Sequence, residues 1–128
     1  MKELVSKDVA EKEVSAWMDY KKVKPSQRET RKAEIAVLVE AIQLGLITID
    51  PTNDFAITQK LEFAIPELNA AELVYKSRAN YTELSKGTSI TKDTFTGTII
   101  TLTGKPLSVI QKLDSEDCKI GYAIALFF

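Results

Sequence analysis

The chain has 128 residues, 45% hydrophobic and 27% charged, with a formal net charge of -1. That is the composition of one folded domain, outside the disordered range and without the positive excess of a nucleic-acid binder. A single cysteine, Cys118, excludes an intramolecular disulfide, and the lack of histidine removes the commonest general base and metal ligand.

Residues 1–13 alternate charge with small apolar residues and lack the apolar core of a signal peptide. The longest apolar stretches, 35–46 and 120–128, are far shorter than a bilayer span, so no membrane partner is expected. The first predicted helix covers residues 7–23, with Ser6 as N-cap and Val14, Trp17, Met18 and the stem of Lys21 on one face. After Pro25, the run Ser26-Gln27-Arg28-Glu29 has capping-box spacing. It predicts one long helix carrying Ile35, Leu38, Val39 and Ile42 and stopping at Gly45.

Past Gly45 the period changes from helical to two. Residues 46–50 form a short strand, 50–54 are turn chemistry, and Phe55, Ile57, Leu61, Phe63 and Ile65 make the apolar face of a longer strand that ends at Pro66. Asn69-Ala70-Ala71-Glu72 then reads as a helix start, with Leu73, Val74, Tyr81 and Leu84 leading to Gly87. Residues 91–103 are rich in threonine and isoleucine, which favours a strand by propensity. Thr91 and Asp93 at the start, Phe95, Ile99 and Leu102 on one face and Gly104-Lys105-Pro106 at the end decide for helix. A short helix from Pro106 to Leu113 follows. Asp114 caps the last helix, with Leu113 and Cys118 placed as a hydrophobic staple.

The expected fold is therefore α+β and mostly helical, a single domain over 1–128. Its parts are two N-terminal helices (1–45), a β-hairpin (46–65) and three or four short C-terminal helices (66–128).

No enzyme site emerges. Glycines stand singly, so no phosphate loop forms. Asp114, Glu116 and Asp117 crowd the first turn of a helix, where they complement its dipole; Asp50 and Asp54 flank a turn. Cys118 reads as an inert thiol, its helix-start position lowering its pKa slightly at most. Catalytic, cofactor and metal residues are all expected to be absent.

Two surfaces invite a partner. Lys24, Arg28, Arg31 and Lys32 lie at the junction of the first two helices and would face nucleic acid in a winged-helix arrangement, with residues 26–44 as recognition helix and 50–54 as wing tip. Glu29 and Glu34 interrupt that stripe, and a solvated cationic junction is the plainer reading. The final segment, 120–128, is apolar on nearly every helical face, so it is core or partner surface. Ile120 and Ile124 are expected inward, and Tyr122, Leu126, Phe127 and Phe128 are the candidate partner-binding residues.

A family resemblance sharpens this. Thr101-Leu102-Thr103-Gly104-Lys105-Pro106, Val109-Ile110, Lys112-Leu113-Asp114, Asp117 and Ala125-Leu126-Phe127-Phe128 form an ordered series. Gln59-Lys60-Leu61 leads into Pro66 upstream of it. The series resembles the tail assembly chaperones of long-tailed bacteriophages, particularly the Mu-like branch, over roughly residues 55–128. The resemblance implies a non-enzymatic protein of the host cytoplasm that shields the apolar helices of the tape-measure protein and helps recruit tail-tube subunits. A homo-oligomer would suit an uncovered apolar end. The first two helices depart from the short members of that family. They leave open a structural accessory protein of the virion head or tail, with winged-helix DNA binding as a more distant alternative.

Overall fold

A computed structural model describes residues 3–66, 70–91 and 93–128. Helix α1 spans Lys7–Lys21, and the Ser6 hydroxyl accepts from the Val9 amide at 3.3 Å. Its buried residues, Ala10, Val14, Trp17 and Met18, follow the helical period. Lys22 closes the helix in the left-handed region (φ 60), and the Val23 amide returns to the Met18 carbonyl.

The long helix expected next is two. Helix α2 (Pro25–Thr30) begins one residue before the expected cap, because Pro25 is preorganised for the first helical position. The Gln27 side chain, rather than Glu29, accepts from the Lys24 amide at 3.1 Å. The Thr30 hydroxyl donates to the Ser26 carbonyl, and the backbone breaks at Arg31 (φ -103, ψ 28). Such back-bonding bends helices. Helix α3 (Lys32–Gln43) then buries Leu38, Val39, Ala41 and Ile42. Gly45, at φ 75, supplies the left-handed turn out of α3, and the Leu46 amide reaches back to the Ala41 carbonyl.

Strands β1 (Ile47–Asp50), β2 (Ala56–Ile65) and β3 (Ala70–Tyr75) form an antiparallel sheet in the order β1-β2-β3. Ile47 pairs with Gln59, Ile57 with Tyr75 and Gln59 with Leu73, so these five residues share one buried face. The opposite face exposes Thr48, Lys60, Glu72 and Val74. Asp50 Oδ1 holds the β1–β2 turn by accepting from the amide and hydroxyl of Thr52. Phe55 lies in that turn rather than in the strand, stacked on Tyr20 at 4.8 Å.

Residues 70–75 correct the helix expected there. The Ala-Ala-Glu triplet favours helix locally, but the open edge of β2 needs a partner, and Leu73 and Tyr75 point inward while Val74 points out. Asn69 of the expected cap lies outside the described residues. The cap of helix α4 (Tyr81–Thr91) is Asn80, which accepts from the Glu83 amide while its own amide group donates to the Glu83 carboxylate.

Helix α5 (Thr94–Thr103) is a helix despite its threonines. Asp93 accepts from the Phe95 amide, and the hydroxyls of Thr98, Thr101 and Thr103 each donate to the carbonyl four residues back. A hydroxyl bonded in this way is compatible with helical backbone. Thr91, expected at the start of this helix, ends α4 instead. Helix α6 (Leu107–Ile110) follows Pro106, and Asp114 caps helix α7 (Ser115–Ala125) by accepting from the Glu116 amide. Trp17, Leu38, Ile57, Leu73, Leu102 and Ile124 belong to one core between the helices and the sheet. Among the described residues no helix is long and apolar enough to cross a membrane.

Candidate partner-binding surface

Helix α7 divides the four residues expected to meet a partner. Phe127 is 8% exposed and meets the Trp17 ring edge-to-face at 5.4 Å. Ile120 and Ile124 are buried as expected. Phe128 is half-buried beneath the Lys21 ammonium, which lies 3.3 Å from its ring centroid and donates to the Ser77 carbonyl at 2.8 Å. Burial, and then the neighbouring Arg78 guanidinium, push the Lys21 amine down to about 8 from the usual 10.5.

Tyr122 and Leu126 turn the other way. They are four residues apart and so share the solvent side of α7, Tyr122 exposed and Leu126 half-buried. Phe95 of α5, which the sequence places on one face with Ile99 and Leu102, stays 39% exposed while those two are buried, and packs edge-to-face on Tyr122 at 5.5 Å. Phe95 and Tyr122 therefore pair at the surface between α5 and α7, and with Leu126 one helical turn further on they mark an apolar stripe. Beside Leu126, Ser26, Gln27, Thr30 and Arg31 line a cleft of about 190 Å³.

The acidic cluster serves the fold. Asp114 is a cap, whereas Asp117 is fully buried, its two carboxylate oxygens accepting from the amides of Glu62 and Phe63 at 2.9 and 3.2 Å. This bracket occupies the stretch where β2 and β3 slip register between Lys60 and Ile65, and Phe63 is left 54% exposed there instead of facing the core. The Asp117 carbonyl accepts from Gln59 Nε2, and Gln59 Oε1 accepts from the Tyr75 hydroxyl at 2.6 Å. Burial pushes the Tyr75 phenol up. The sequence concealed this network because an acid in a helix's first turn has an ordinary explanation.

Cys118 corrects a second expectation. Burial, followed by the charges of Asp117 and Asp114, raises its thiol pKa, outweighing the helix start. At Asp50 the Thr52 hydroxyl and amide hold the carboxyl below its usual range. Among the described residues no group of three His, Cys, Asp or Glu side chains is arranged to hold a metal ion.

The basic junction is largely paired. Arg28 bonds Asp19 at 2.8 Å and the Val23 carbonyl at 3.1 Å, Lys32 pairs with Glu29 at 2.8 Å, and Arg31 lies 3.9 Å from Glu34. Lys24 is exposed at the head of α2. The expected recognition helix is broken at Arg31, and its second half lends Leu38, Val39, Ala41 and Ile42 to the core. Comparisons of the chain with known protein families, with curated proteins and with solved structures give no match.

Proposed function

We propose that this chain is a non-enzymatic tail assembly chaperone of a long-tailed bacteriophage, acting in the host cytoplasm on the tape-measure protein while the tail is built. The observation that carries the reading is the Phe95–Tyr122–Leu126 stripe, because large apolar side chains gather at the surface within the residues that bear the family resemblance. Further support comes from the way the resembling series divides into elements. Gly104 closes α5, Pro106 precedes α6 and Asp114 caps α7.

Co-expression with the tape-measure protein of the same phage tests the proposal. A soluble complex is expected, and Phe95→Ser with Tyr122→Ser should abolish it while leaving the melting temperature within a few degrees, since neither side chain is fully buried. A folded double variant with an undiminished complex would remove this surface from the role. Recovery of the protein in stoichiometric amounts from purified particles would replace the chaperone reading with a structural role in the virion.

A further inference from the structure

A second surface lies on the opposite flank of α7. Ala41 of α3, Leu44 and Leu46 in the turn that follows it, and Ile120 of α7 form the apolar floor of a groove of about 270 Å³, and Val37 stands at its lip, 37% exposed. The rim is acidic: Glu40 comes from α3, Glu62 from β2 and Glu116 from α7. Among the described residues Lys119 is the one cation of that lining, and Glu116 holds it at 2.9 Å. Three carboxylates against one ammonium leave the rim at a net -2, in a chain whose whole formal charge is -1.

We propose that this α3–α7 groove docks a cationic amphipathic helix of a partner protein. The floor takes a large apolar side chain, and lysine or arginine side chains on either side of it meet Glu40, Glu62 and Glu116. The chemistry selects against the alternatives. An acidic rim repels nucleic-acid phosphates and anionic lipid, while an apolar floor gains nothing from a purely polar cation. A helix laid in a groove, anchored by apolar residues and oriented by charge, satisfies both parts. The inference rests on the reading of the chain as a protein-binding module, and it adds the place and charge of one partner segment.

The full chain, labelled with ¹⁵N, is titrated with a synthetic peptide of about 18 residues, long enough to hold a helix, with leucine at helical spacing and lysine elsewhere. A twin peptide carries glutamate in place of lysine. The lysine peptide is expected to bind at least about tenfold more tightly than its twin and to move the amide signals of Ala36, Val37, Leu44 and Ile120. Glu40→Lys with Glu62→Lys should weaken it by a similar factor. The deciding variant is Val37→Glu, at an exposed helical site where folding is spared. It adds negative charge but blocks the apolar lip, so docking predicts weaker binding. Stronger binding to Val37→Glu would reduce the effect to counter-charge attraction and overturn the proposal. Signal changes centred on Phe95 and Tyr122, or a homodimer that Val37→Glu dissociates, would overturn it too, assigning the peptide to the other stripe or the groove to a second copy. The tape-measure complex and its dependence on Phe95 and Tyr122 are measured separately, so failure here leaves the assembly reading standing.

Discussion

Helix α1 meets its neighbours through large side chains, with Val14 and Trp17 buried among Leu38, Ile124 and Phe127. Helices α4 and α5 meet backbone to backbone. A Cβ added at Gly97 would lie 2.6 Å from the Thr88 amide nitrogen and 2.7 Å from the Gly87 carbonyl carbon. The Thr101 hydroxyl, 2.9 Å from the Gly97 carbonyl and 3.1 Å from that of Glu83, bridges the same crossing. The first kind of contact stores its stability in buried area and adjusts to substitution by repacking. The second leaves no room for an added atom, since main chain on both sides must move together.

The largest expected effect tests the first interface. Trp17→Ala should cost about 3–5 kcal/mol in denaturant unfolding, the usual range for deleting a large buried aromatic. Trp17→Phe should recover most of that, because among the described residues the buried indole nitrogen has no hydrogen-bond acceptor to lose. Equal losses in the two variants would mean that the indole's shape, rather than its apolar area, holds α1.

The junction between helices and sheet comes next. Asp117→Ala strips the acceptor from the Glu62 and Phe63 amides and should cost about 2–4 kcal/mol, with faster hydrogen exchange at those two amides. Unchanged exchange would show that the strand is held there by other means.

Gly97→Ala should cost about 1–3 kcal/mol, although alanine is the better helix former by about 1 kcal/mol. A stabilised variant would show that the α4–α5 crossing opens readily, and the distinction between the two interfaces would fall.

The smallest effect concerns Lys21, which ties the side-chain interface to the Phe128 ring. Its folded value, about 8, lies below the unfolded 10.5, so across that window the unfolded chain holds a proton that the folded chain has released. Stability therefore rises with pH there, and below about 8 the full cost of keeping the ammonium part-buried remains. Solvent screening limits the gain to about 1 kcal/mol. Cys118 and Tyr75, both raised by burial, work in the opposite direction as pH climbs past their ordinary 9.0 and 10.0. The comparison is therefore wild type against Lys21→Met, whose stability difference should change across the window. A flat difference would show that the ring face and the Ser77 carbonyl hold the charged form as strongly in the fold as water does outside it.

These regions were not equally legible. Ser6, Asp93, Asp114 and Gly45 act where their residue types say they should, because caps and turns are decided by atoms within a few positions. The same holds for the inward residues of α1 and α3, where a repeating apolar spacing leaves one solution. The threonine-rich α5 was legible through its ends and the spacing of Phe95, Ile99 and Leu102, against an interior composition that favours a strand; its hydroxyls bond back along the helix.

Tertiary structure decided what depends on a distant neighbour. Residues 70–75 became a strand because β2 offered an edge, overriding a local preference for helix. Asp117 became a bracket for β2 because packing brought a helix start, 54 residues away in sequence, onto two strand amides. Phe127 and Tyr122 have similar apolar rings in one continuous segment, yet Trp17 covers the first and Phe95 leaves the second at the surface. Periodicity records that a face is apolar; whether that face is covered depends on elements far along the chain, and so the candidate surface had to await the fold.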